Sequence, residues 1–126
     1  ENLKVIQAAM RSVVQDPRGT ANYPLAGFPL PVAAKTGTAE SGATDPHAWF
    51  AGFSLANSPN KPDIAIAVLV NNKGEGSVWA APIFRRVMEI YFNGRRQTVY
   101  PWEITFGEID PAYNPFGPAL TPTPGP

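Results

Sequence analysis

The sequence predicts an α+β fold, an antiparallel sheet of three strands flanked by helices. Three observations carry this. Apolar residues recur at helical spacing near the N-terminus and again after residue 77, three β-like stretches lie between, and the turns joining those stretches are short enough to favour antiparallel neighbours. A length of 126 residues, 44% of them apolar and including three Trp and seven Phe, suffices for one packed core.

Leu3, Ile6, Met10, Val13 and Val14 fall on one stripe between polar residues, which predicts an amphipathic helix over Leu3–Gln15. Asp16-Pro17-Arg18-Gly19 ends it. Thr20 to Pro31 mixes Pro24, Gly27, Pro29 and Pro31 with apolar residues, as an ordered connection lying against the core would. Strands are expected at Val32–Glu40, His47–Leu55 and Asp63–Asn71, separated by turns at 41–46 and 57–62. The third is apolar on both faces, so a central strand covered by helices on both sides is expected.

Asn71-Asn72-Lys73-Gly74-Glu75-Gly76 reads as a turn. Ser77 can cap a second helix running to about Phe92, where Asn93-Gly94 supplies the stop. Pro82 falls in its first turns or kinks it. Ile83, Val87 and Ile90 form one apolar stripe and Phe84, Met88 and Tyr91 another, so most of this helix should be buried, while Arg85-Arg86 reads as a solvated edge. Residues 1–94 form the structured part and 95–126 a Pro-rich tail, whose last twelve residues, with five Pro and two Gly, should be extended or disordered.

Composition excludes several functions. Ten Lys plus Arg balance ten Asp plus Glu, giving zero formal charge, so there is no field to gather nucleic acid or an anionic membrane. The chain has no Cys and one His, which removes disulfides, thiolate chemistry and the common metal sites, and no cofactor is expected. No apolar run approaches the roughly 20 residues that span a bilayer. Glu1-Asn2-Leu3-Lys4 is unlike a signal peptide, so the chain is either cytosolic or cut from a longer exported protein.

The chemistry concentrates in Val32-Ala33-Ala34-Lys35-Thr36-Gly37-Thr38-Ala39-Glu40. A core strand has no use for a Lys, two hydroxyls and a Gly in its middle. Gly37 lets another group approach the backbone closely, Thr36 and Thr38 can hydrogen-bond a carboxylate, and Lys35 attracts it, so this strand could hold an extended anionic ligand along a free edge. By itself the triplet also fits a solvated edge strand with a protective Lys. A phosphate loop fits worse, because Val32-Ala33-Ala34 stands where a Gly-rich turn would be needed. His47 reads as a strand-end hydrogen-bonding residue, and Trp49, Phe50 and Phe53 as core or cleft wall. Glu40 orients the strand end or binds water.

Lys-Thr-Gly is one of three signatures of penicillin-binding proteins and serine β-lactamases. Lys35-Thr36-Gly37-Thr38-Ala39-Glu40, then His47-Ala48-Trp49-Phe50-Ala51-Gly52-Phe53, an apolar strand and Ala80-Ala81-Pro82-Ile83-Phe84-Arg85 resemble class B penicillin-binding proteins in the same order. Met10-Arg11-Ser12-Val13-Val14 and Gly19-Thr20-Ala21 resemble the helix and loop before that strand.

The resemblance covers about Leu3 to Gly94 and implies the C-terminal part of a transpeptidase domain, a partial serine β-lactamase/transpeptidase-like fold. It implies that Lys35 and Thr38 serve catalysis: Lys35 by helping the second motif's serine handle protons, Thr38 by giving its backbone N–H to the oxyanion hole. Thr36, Gly37, Thr38 and Ala39 would bind a D-Ala-D-Ala stem peptide or the β-lactam that mimics it. The parent protein would act outside the cytoplasmic membrane, anchored by a segment not in this chain.

Two departures bear on activity. Of the five serines, only Ser58-Pro59-Asn60-Lys61 has the Ser-x-x-Lys spacing, and it lies in a Pro-rich turn downstream of the triplet, whereas the family's nucleophile starts an upstream helix. No Ser-x-Asn motif stands in the right place either, so the chain alone should not be acylated. A D,D-carboxypeptidase, a β-lactamase, a β-lactam sensor or a non-catalytic peptide-binding module are the alternatives.

In the family the strand matching Asp63–Asn71 pairs with one from the N-terminal part of the domain. Here a second copy of the chain, forming a homodimer, or the chain's own Glu103-Ile104-Thr105-Phe106-Gly107 would take that edge. The dimer is favoured, since Pro101, Pro111 and Pro115 limit the strand the tail can supply.

Overall fold

The first helix, α1 (Asn2–Gln15), ends where expected. Asp16 accepts hydrogen bonds from the Arg18 backbone N–H (2.8 Å) and from its guanidinium (2.9 and 3.1 Å), which closes the turn. The Arg18 guanidinium is also what holds the Asp16 carboxyl below its ordinary range. In this computed structural model, which describes residues 2–42 and 45–100, the order is α1, β1 (Val32–Ala39), β2 (His47–Ser54), β3 (Ala65–Val70) and α2 (Gly76–Asn93). The chain divides into two compact units, Glu1–Arg96 and Gln97–Pro126, and all five elements belong to the first. The segments 103–107 and 115–126, read above as strand-like and extended, lie outside the described residues.

The strands form one antiparallel sheet in the order β1-β2-β3. Lys35 pairs with Ala51, Gly37 with Trp49 and Ala39 with His47, and Phe50 stands between Thr36 and Val68. Strand alternation therefore puts Val32, Ala34, Ala48, Phe50 and Val68 on one face, where Ala80, Ala81, Phe84 and Met88 of α2 meet them. Phe50 and Phe84 are fully buried, with ring centroids 4.9 Å apart and planes tilted by 51°. Each such burial contributes roughly 1.5–3 kcal/mol. Gly52 leaves the room this needs, since a Cβ there would lie 3.0 Å from the Phe84 ring.

α2 stops at Gly94, whose φ of 71° suits glycine and whose N–H donates to the Ile90 carbonyl at 2.9 Å. The expected Ser77 cap is not formed. Glu75 is the cap residue, without a side-chain capping bond, and the Ser77 hydroxyl lies 3.5 Å from the Glu75 carboxylate. The cap lies two residues earlier than expected, and Gly76, the first helical residue, sits tightly against the sheet, where a Cβ would be 1.9 Å from the Trp49 carbonyl oxygen and 2.7 Å from that of Gly37.

Burial corrects four further expectations. β3 is an edge strand among the described residues, with Ala65, Ala67 and Leu69 exposed on the face away from α2, so helices do not cover both its sides. Its ladder starts at Ala65 because Asp63 is used in the preceding turn, accepting from the Ser54 hydroxyl (2.7 Å) and the Ala56 N–H (2.8 Å). The Ile83, Val87 and Ile90 stripe of α2 is exposed while the Phe84 and Met88 stripe is buried. The α1 stripe splits in the same way: Val13 and Val14 pack on the core, but Leu3 is 66% and Ile6 55% exposed.

Arg85 and Arg86 are not a solvated edge. Arg85 is 8% exposed and donates from Nε to Glu89 Oε1 at 2.9 Å, and Arg86 pairs with the other oxygen of the same carboxylate, which is fully buried. Arg85 Nη1 also donates to the carbonyls of Pro24 (3.2 Å) and Ala26 (2.8 Å), and its guanidinium lies 5.8 Å from the centroid of the Phe28 ring. The ion pair thus pins the connection between α1 and β1 onto α2.

Candidate functional site

β1 has β2 on one side and, among the described residues, no strand on the other. Its first three residues, Val32, Ala33 and Ala34, are buried and anchor it; from Lys35 onward it emerges, with Lys35 and Thr38 exposed and Thr36, Gly37 and Ala39 half-buried. Alternation sends Lys35, Gly37 and Ala39 to one face and Thr36 and Thr38 to the other. All five candidate residues therefore lie in an unbroken run along one open strand, with the Lys35 ammonium on one face and the Thr36 and Thr38 hydroxyls on the other.

Each side chain is placed by something nameable. Lys35 Nζ donates to the Thr36 carbonyl at 2.5 Å, folding the ammonium along its own strand. Thr36 Oγ1 and Thr20 Oγ1 are 2.7 Å apart. A Cβ on Gly37 would come 3.1 Å from the Trp49 Cβ, so the strand passes under Trp49 with only hydrogen at that position. From below, Gly76 brings the first turn of α2 against the Gly37 carbonyl. The strand is held from both sides and is open along its edge.

His47, across from Ala39, accepts a hydrogen bond on Nδ1 from the Asn72 backbone N–H at 3.2 Å, which makes it the strand-end residue the sequence suggested. Phe50 is core and Trp49 is part of the exposed wall, while Glu40 is exposed beyond the end of β1. Lys61, the one Lys with nucleophile-motif spacing, is turned elsewhere: it donates to the carbonyls of Tyr91 and, at 3.4 Å, of Phe92, closing the C-terminal end of α2. Ser58 beside it receives the Asn60 N–H at 3.4 Å. Among the described residues no group of three or more His, Asp or Glu side chains could hold a metal ion.

Chemically, the arrangement can bind a carboxylate and align an extended chain along an unpaired strand edge. β1 itself carries no serine, and its hydroxyls are those of Thr36 and Thr38. Thr20, Gly76 and Glu89 carry no site role in the sequence reading, where Arg85 belongs to a solvated helix edge. Arg85 and Glu89, opposite charges four residues apart amid apolar neighbours, did carry a readable signal.

An open Lys-Thr-Gly strand backed by a long helix defines a class, and comparison with known proteins agrees with it. Residues 1–89 match the model of the penicillin binding protein transpeptidase domain, and the chain belongs to that family. It is 43% identical over 72 residues to peptidoglycan D,D-transpeptidase PbpA of Mycobacterium tuberculosis, covering 50% of this chain and 14% of that protein. It is 29% identical over 110 residues to peptidoglycan D,D-transpeptidase MrdA of Haemophilus influenzae, covering 75% of this chain and 16% of that one. The crystal structure of Pseudomonas aeruginosa PBP2 in complex with WCK 5153 superposes with a TM-score of 0.64 at 35% identity, over 80% of this chain and 22% of that one. The chain is a fragment of a class B penicillin-binding protein transpeptidase domain, and it spans under a fifth of the length of these two curated relatives.

Proposed function

We propose that the parent protein is a peptidoglycan D,D-transpeptidase to which residues 1–94 contribute the C-terminal part of the catalytic domain, and 95–126 a Pro-rich tail. The observation that carries this is the Lys35-Thr36-Gly37-Thr38 run on a strand open along its outer edge. Thr36 and Thr38 take the terminal carboxylate of a D-Ala-D-Ala stem peptide, or of a β-lactam, beside the Lys35 ammonium. Gly37 and Ala39 let the ligand backbone lie along the strand. The Thr38 N–H stabilises the oxyanion formed when the nucleophilic serine attacks the carbonyl. Lys35 assists the proton movements that accompany attack and departure of the terminal D-Ala.

The nucleophile and its proton partner come from the N-terminal part of the same domain, so this chain alone binds weakly and forms no covalent bond. The exposed Ala65, Ala67 and Leu69 of β3, with Leu3 and Ile6 of α1, fit a surface which that part covers; in its absence a second copy pairing along β3 is the alternative occupant. Light scattering over a concentration series distinguishes that dimer from a monomer. The site faces the extracytoplasmic side, with the membrane anchor carried by another segment; no helix among the described residues is long and apolar enough to cross a membrane.

The test is acylation by a fluorescent penicillin. In the full-length protein Lys35→Ala should slow labelling by about 10²-fold or more while lowering thermal stability little, because an exposed mid-strand Lys contributes charge and not core volume. The 126-residue chain should show no covalent label. Stoichiometric labelling of that chain, or equal losses of stability and acylation in Lys35→Ala, would overturn the reading.

A further inference from the structure

Thr20 is presented to Thr36 by a backbone anchored on both sides. On one side Gly19 is wedged against α1: a Cβ there would lie 2.1 Å from the Val13 carbonyl oxygen, and its N–H donates to Asp16 at 2.7 Å. On the other side Ala21 is fully buried and its N–H donates to Val13 at 3.2 Å. Further along, Arg85 holds the carbonyls of Pro24 and Ala26. From this fixed loop the Thr20 hydroxyl reaches the Thr36 hydroxyl, 16 residues away in sequence, at 2.7 Å.

We infer that Thr20 is a positioning residue for ligand recognition, donating its hydroxyl hydrogen to Thr36 when Thr36 donates to the ligand carboxylate. The chemistry leaves one consistent arrangement. A hydroxyl has a single hydrogen, and a carboxylate only accepts. Once Thr36 donates to the carboxylate, its oxygen faces Thr20 as an acceptor, so Thr20 is the donor of that pair. Chained donors polarise one another, which strengthens the terminal bond to the anion. Without ligand either hydroxyl can donate, and the carboxylate sets the direction.

The inference rests on the carboxylate reading of Thr36, so its test separates the two. Binding and acylation steps are measured in the full-length protein with benzylpenicillin and with its methyl ester, which lacks the anion. Thr20→Val should weaken binding of the acid by about fivefold to tenfold, leave the acylation step unchanged, and affect the ester by less than about twofold. Thr20→Ser, which keeps the donor, should stay within about twofold of wild type for both compounds. Thr20→Ala is measured beside Thr20→Val so that crowding by the valine methyl does not decide the result.

Equal losses on acid and ester, a loss in Thr20→Ser as large as in Thr20→Val, or wild-type binding in both hydroxyl-free variants would each overturn the role of Thr20. A wild-type protein that does not distinguish acid from ester removes the carboxylate reading of Thr36, and the role of Thr20 with it. One that prefers the acid while ignoring Thr20 substitutions removes only the second.

Discussion

The two faces of the sheet differ sharply in how they are finished. On the α2 side Phe50, Phe84 and Met88 have no exposed surface and even a carboxylate, Glu89, is enclosed with its partners Arg85 and Arg86. On the other side Trp49 and Leu69 keep 39% and 45% of their surface, Ala51, Ala65 and Ala67 are exposed, and no residue of α1 is buried. The first face is completed by elements near one another in the chain; the second offers apolar surface without completing it. A segment can therefore hold its fold on one side of a sheet while leaving the other as an interface.

The largest effect should come from opening the closed face at its charge. Glu89→Ala leaves two buried or nearly buried guanidinium groups without their shared carboxylate, and a loss of about 3–5 kcal/mol in denaturant unfolding is expected. A loss below about 1 kcal/mol would show that the pair is solvated after all. Met88→Ala, on the same face, should cost about 2–5 kcal/mol by removing buried volume.

On the open face Leu69→Ala should cost under about 1 kcal/mol in the 126-residue chain, as exposed positions do. The same substitution should cost more in the full-length protein, where the remainder of the domain is expected to cover β3. Equal costs in the two settings would mean that nothing covers this face in the longer protein, and the contrast between the faces would lose its meaning.

The smallest effect is in the acid range. The Ser54 hydroxyl, followed by the Ala56 and Asn57 N–H groups, holds the Asp63 carboxyl below its ordinary value of 3.8 in spite of an opposing desolvation effect. A depressed folded pKa contributes stability that is fully present above the unfolded value and is lost as pH falls from about 3.8 towards the folded one. Asp63→Asn should flatten that acid limb and leave its shape above pH 5 unchanged, as read from melting temperature against pH; a wild-type limb in the variant would exclude Asp63 as its source.

The features legible in the sequence were those set by neighbours along the chain. β-like stretches bounded by short turns located all three strands within two residues, and Gly94 marked the helix end because glycine readily takes the left-handed conformation found there. Lys35, Thr36, Gly37 and Thr38 stood out because their polarity conflicts with a buried strand. What stayed hidden depends on distant contacts. Nothing local announces that Thr20 meets Thr36, and Gly76 looked like turn material because the carbonyl that excludes its Cβ belongs to Trp49. The apolar faces of β3 and α2 were read correctly as apolar, but hydrophobicity says that a surface is to be covered and does not say by which part of a chain.

Strand order also has a kinetic side. Because β1, β2 and β3 are neighbours in space in the order in which they are synthesised, each pairing closes only a short loop, residues 40–46 and then 55–64. Closure entropy grows with loop length, so contacts of this kind form sooner than pairings that wait for remote chain. The hairpins are expected to gain amide protection first in pulse-labelled exchange, with α1 docking later across the 16–31 connection. The open edge of β1 would then be a surface formed early in folding.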